Sequence, residues 1–246
     1  MSPSAPRVSR SVDARLITAL RLISVVGAVG FTVIWLILDR LEPGFDPARD
    51  FISALAAPTA AHPAVMTAGF VCLVVSLAAA AVRAGLGRLG RGTVALLAVA
   101  ATSAAVATVW SQQCSTTQRS CYEILNEQHG MTTTATHNLA AATMFVATIA
   151  CAVGMTIRMR RVLAPASKFA CALCAVGVAV TTIPWIAGVE QGAGGLFERV
   201  LATTLLIWLT VLSDQVRRVG DGPDVDLRDR QAAARERLSR GVREGT

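Results

Sequence analysis

Charge is scarce in this chain. Asp, Glu, Lys and Arg make up 16% of its 246 residues, against 53% that are hydrophobic. A soluble globule of this length must cover its surface with polar side chains, and here the charges are confined to short segments between long apolar blocks. That is the patterning of a chain solvated by lipid. Other absences narrow the class further. No block alternates β-branched residues with turns every ten positions or so, which argues against a β-barrel. The net charge is +7, but the basic residues are not interleaved with aromatics in a patch, so nucleic acid is not an expected partner. No small-x-small site follows Leu38, so the first apolar stretch reads as a retained helix and not as a cleaved signal peptide.

What is present is a series of apolar blocks near the length of about 20 residues that a membrane span requires. They run Ile17–Leu38, Pro63–Val82, Thr93–Trp110, Ala135–Ile157, Phe169–Gly188 and Leu196–Leu212. The expected fold is therefore an all-α, polytopic bundle of six transmembrane helices over residues 16–213. A basic, disordered arm over residues 1–15 precedes it and a charged tail over 214–246 follows. The tail pairs Asp224 with Arg228, Asp226 with Arg230 and Glu236 with Arg240 at the helical spacing of four.

Basic residues set the direction. With six spans, the arm, the loop after the second block (Arg83, Arg88, Arg91), the loop after the fourth (Arg158, Arg160, Arg161, Lys168) and the tail share one side. That side holds nineteen of the 23 Lys and Arg residues. By the positive-inside bias it is cytoplasmic, with both termini, in a multi-pass plasma-membrane protein. Trp35, Trp110 and Trp185 then fall at the outer ends of spans and Trp208 near an inner end, positions that suit anchoring at the membrane–water boundary.

Small residues dominate the third block and stripe the second and fourth, as close packing in lipid demands. Gly27 and Gly30 are three apart and are not read as a dimer motif; Pro184 should kink the fifth block. Cys114 and Cys121 share an outer loop and are expected to form a disulfide. Cys72, Cys151 and the Cys171/Cys174 pair read as small packing residues.

The outer side collects the polar chemistry: eight carboxylates and all three histidines. His137 opens the fourth block at membrane depth, where an imidazole has to find a partner or line a cavity. His62, His129 and His137, completed by Asp50 or Glu198, could hold zinc, but no HxxxH or HxxH pair supports it. The expectation is no cofactor, each histidine bonding separately. Ser53 and His137 are the candidate catalytic pair, yet no GxSxG elbow surrounds Ser53. An interfacial turn capped by Asp50, with Phe51, Ile52 and Leu55 dipping into the membrane, is favoured for that segment. Glu198 suits the first turn of the last helix. Arg199 beside it either pairs with an acid on another helix or binds an anionic lipid headgroup. Asp50, His137, Glu198 and Arg199 are thus the expected ligand-binding set, with membrane lipid the expected partner.

Three segments carry a resemblance: Asp-Phe-Ile-Ser-Ala-Leu-Ala-Ala-Pro from Asp50, His-Asn-Leu-Ala-Ala-Ala-Thr-Met-Phe from His137, and Gly-Leu-Phe-Glu-Arg-Val from Gly195. Over roughly residues 17–215 the chain resembles the bacterial membrane family called domain of unknown function 998, similar in layout to the FRAG/DRAM/Sfk group. The resemblance implies six helices and a role in lipid or envelope homeostasis, and marks Ser53, His137, Glu198 and Arg199 for testing. It implies no reaction. The expected function is lipid binding through an outward-facing polar pocket; the alternatives are a membrane-embedded hydrolase and a small-solute transporter.

Overall fold

A computed structural model describes residues 8–87, 89–114, 130–159 and 193–220. Among the described residues the regular structure is entirely helical. The long helices are α1 (Val8–Leu41), α2 (Pro63–Leu86), α3 (Arg91–Val109), α4 (Gly130–Met159) and α5 (Gly194–Gly220), with a 3-10 turn over Ile52–Ala56. α5 corresponds to the sixth apolar block. The fifth block, with Cys171, Cys174, Pro184 and Trp185, lies outside the described residues, as do Cys121 and His129. Stretches within α1 to α4 are long and apolar enough to cross a membrane: Arg15–Leu41, Pro63–Leu86, Arg91–Val109 and Thr132–Ile157. At 1.5 Å per residue, the shortest covers roughly 28 Å, close to the hydrocarbon thickness of a bilayer.

α1 shows how the sequence builds the bundle. Ser24, Ala28, Phe31, Trp35 and Leu38 recur at helical spacing and are buried. Leu22, Val26, Val29, Val33 and Leu36 recur on the opposite face and are exposed. Both faces are apolar, so the outward one is suited to lipid and not to water. Inside, small residues bring the helices close. A Cβ on Gly27 would stand 2.6 Å from the Cys72 carbonyl oxygen, so α1 and α2 touch backbone to backbone there. One turn away the Ser76 hydroxyl donates to the Ser24 carbonyl at 2.7 Å. α3 turns Ala100, Ala101, Ala104 and Ala107 inward and packs against α2 and α4. Threonine hydroxyls that would otherwise face lipid donate to carbonyls of their own helix, as Thr32 does to Ala28 and Thr143 to Leu139.

Sequential helices pack side by side, α1 on α2, α2 on α3 and α3 on α4, while α5 closes against α1, α2 and α4. Two expectations need correcting. Trp35 and Trp208 do not present their rings at a boundary. Both are buried in the bundle, at 6% and 2% exposure, and only Trp110 of the described tryptophans is open, at 45%. Arg83 is not a loop residue; it sits in the last turn of α2 and is buried.

Candidate functional site

Residues 42–62 fold over one end of the bundle, and their turns are made by their own side chains. Gly44 takes a positive φ of 73°, open to glycine without strain. The Asp46 carboxylate accepts from Ala48 N–H at 3.0 Å, and the Asp50 carboxylate accepts from Asp46 N–H at 2.9 Å. Asp50 therefore closes the turn before it and does not cap the 3-10 helix. The residue in the cap position is Phe51, without a side-chain hydrogen bond. Nor do Ile52 and Leu55 dip into an interface. The whole Ile52–Ala56 turn is buried inside the protein. The sequence suggested a membrane-facing turn because its apolar residues were visible and the helices that cover them were not.

The start of α5 meets this loop at close range. Gly195 N–H donates to Arg49 O at 3.2 Å and Leu196 N–H to Ala48 O at 3.0 Å, so the loop satisfies amides that a helix start leaves over. A Cβ at Gly195 would overlap the backbone oxygens of Asp50 and Pro47. Glycine is required there by approach.

Arg199 follows one turn on. Its Nε donates to Asp39 Oδ2 at 2.9 Å and its Nη2 to Asp39 Oδ1 at 2.6 Å, a two-pronged ion pair between α5 and α1. Nη1 donates to Asp50 O and Gly195 O at 2.8 and 2.9 Å. The guanidinium carbon lies 5.6 Å from the Trp35 ring centre and 5.4 Å from that of Phe45. Of the two roles open to Arg199, the structure realises the pairing with an acid on another helix. Asp39, Trp35 and Phe45 complete this lock, whose one weak signal in the sequence is an acid directly after the first apolar block.

The neighbouring Glu198 turns the other way. Its Oε2 accepts from Ile52 N–H, tying α5 to the 3-10 turn. Ser53 donates to Gln112 Oε1 at 2.9 Å, tying the turn to the end of α3. His137 Nδ1 lies 2.9 Å from Ala107 O and 3.0 Å from Trp110 O, tying α4 to α3. Ser53, His137 and Glu198 line one cavity of about 50 Å³. A single water needs roughly 10–15 Å³, so the space holds more than one small group. Its walls are apolar. α4 contributes His137, Ala141, Met144 and Thr148, and α5 contributes Glu198, Ala202, Leu205 and Leu209. Each set is a helical stripe spanning twelve residues, so the lining extends roughly 16 Å along the bundle from its polar end.

The structure thus divides the expected catalytic and ligand-binding residues. Ser53, His137 and Glu198 come together at the cavity. Arg199 and the Asp50 carbonyl belong to the lock behind it. His62 is exposed at the start of α2 and does not line the cavity, and no group of three metal-ligating side chains forms among the described residues. Cys72 and Cys151 are free thiols, and Cys114 is buried just past α3.

Lipid-facing helices packed through small residues around an internal, polar-ended cavity define a helical integral membrane protein. The chain belongs to the family described as Protein of unknown function (DUF998), whose profile matches residues 25–213. No curated protein and no solved structure matches it.

Proposed function

We propose that this is a plasma-membrane protein of six spans, with cytoplasmic termini, that takes the end of an apolar, lipid-like molecule into its cavity from the outer side. The observation that carries it is the cavity's two-part lining: apolar walls along α4 and α5 below a cap of Ser53, His137 and Glu198. Such a space binds by apolar burial and orients by a few polar groups. Six spans are supported by connectivity. α4 and α5 both run away from the polar end, with His137 and Glu198 lining the same cavity there, as the fourth and sixth of six alternating spans would. The charge asymmetry supports the orientation. A Cys114–Cys121 disulfide belongs to the same proposal, supported by an oxidising outer location and by the burial of Cys114. The role would be non-catalytic, in lipid or envelope homeostasis.

A hydrolase at the same site would need the Ser53 proton directed at His137. Ser53 gives that proton to Gln112 instead, and His137 uses Nδ1 on two main-chain carbonyls.

Lipids that co-purify with the full-length chain in detergent, measured by mass spectrometry, test the proposal. Leu205→Trp fills the cavity and should remove a defined bound species. Val200→Trp, on the exposed face of the same helix, should keep it. Equal lipid content in both variants would refute cavity binding.

A further inference from the structure

Among the described residues, the polar cap of the cavity presents mainly hydrogen-bond acceptors. His137 is 3% exposed, and both partners of its Nδ1 are carbonyl oxygens. An oxygen acceptor on that side requires the ring proton to sit on Nδ1, so in the neutral imidazole Nε2 carries a lone pair. Nε2 has no partner among the described residues, on a ring that lines the cavity. Glu198 places one carboxyl oxygen on Ile52 N–H and also lines the cavity, where its second oxygen is an acceptor in the ionised form. Ser53 has spent its hydroxyl proton on Gln112, which leaves its oxygen lone pairs. The guanidinium next to Glu198 in sequence does not reverse this balance, because Arg199 is held by Asp39 and two main-chain carbonyls and does not line the cavity.

We infer that the cavity selects a neutral, hydroxyl-headed apolar chain, of the long-chain alcohol or acylglycerol type, and rejects anionic heads. This rests on the cavity-binding reading above and adds the chemical class of what binds. The hydroxyl proton is donated to His137 Nε2 or to the free oxygen of Glu198. A phosphate or carboxylate head would face the Nε2 lone pair and the Glu198 carboxyl, with no fixed donor among the described residues to meet it, and each unmet polar group in an apolar enclosure costs affinity. An ammonium head would find one carboxylate but would enter a largely apolar space with most of its hydration lost.

Chain-matched probes separate the head from the tail. The full-length chain in amine-oxide micelles, which carry no hydroxyl, is offered dodecanol, laurate, dodecyl phosphate and dodecylamine, and binding is read by native mass spectrometry and by competition between probes. Dodecanol is expected to bind at least about tenfold more tightly than the other three, the usual effect of a buried polar group left without its partner. His137→Phe keeps the ring's bulk and removes Nε2, and should erase most of that preference while the chain still binds. Should His137→Phe not yield folded protein, the wild-type probe series decides alone, and His137→Gln offers an amide that can donate to the same carbonyls. Laurate, dodecyl phosphate or dodecylamine binding as tightly as dodecanol, with all binding lost in Leu205→Trp, would overturn the head-group inference and leave the cavity reading standing. Absence of binding by every probe, or binding indifferent to Leu205→Trp, would overturn the cavity reading itself.

Discussion

Removing either partner of the Asp39–Arg199 pair should destabilise the bundle far more than removing both. The side chains of Arg199 and Asp39 are 8% and 7% exposed, and their two hydrogen bonds are 2.9 and 2.6 Å long. Asp39→Leu leaves a buried guanidinium with only the Asp50 and Gly195 carbonyls to meet it, and Arg199→Met leaves a buried carboxylate without its donors. Breaking a buried pair from one side costs about 3–5 kcal/mol. The double variant places two apolar side chains of suitable bulk face to face. It still strips Asp50 O of a donor, so it should lose about 1–2 kcal/mol relative to wild type. The coupling energy of the cycle is then at least about 4 kcal/mol, several-hundredfold in the folded-to-unfolded ratio. Equilibrium unfolding of the four proteins in mixed micelles, followed by tryptophan fluorescence, would measure it. Single variants that cost under about 0.5 kcal/mol each, or costs that simply add in the double, would refute the claim that this pair locks α5 to α1.

Gly195→Ala should cost about 1–3 kcal/mol, because its Cβ meets backbone oxygens that cannot rotate away. Gly154→Ala on α4, with nothing within 4 Å of its Cβ, should instead gain roughly 0.5–1 kcal/mol. Thermal unfolding of the two variants side by side should give midpoints that move in opposite directions. In thiol labelling of unreduced, denatured protein, Cys72 and Cys151 should react, while Cys114 and Cys121 should react only after reduction; prompt labelling of all of them would remove the disulfide.

The helical bundle was legible in the sequence because lipid imposes it. Apolar blocks of span length have few other solutions, and the start of α2 at Pro63 and of α3 near Thr93 follow from the pattern within two residues. The clustering of Ser53, His137 and Glu198 at one end was also visible, since helix direction alone brings them to the same side. Their sorting was not. Glu198 and Arg199 are adjacent in sequence, yet one reaches the cavity and the other the lock, because successive helical residues point about 100° apart and only the packed neighbours decide which face is which. Asp39, one of the eight outer carboxylates, and Gln112 are not singled out by the sequence for a related reason. Each looks like an ordinary polar residue at the end of a span, and it is the partner 160 residues away for Asp39, or 59 for Gln112, that gives it a role. The buried tryptophans were misjudged because their depth along a helix is readable while their rotation about it depends on neighbours such as Arg199.

Orientation is the claim on which access to the cavity depends. Single cysteines placed at Thr59, in the exposed turn over the polar end, and at Gly92, in the first turn of α3, can be probed in intact cells with a membrane-impermeant maleimide. Labelling of Thr59→Cys before lysis, and of Gly92→Cys only after it, is the predicted result. The reverse pattern would put the Ser53–His137–Glu198 cap on the cytoplasmic side and contradict an outward-facing site.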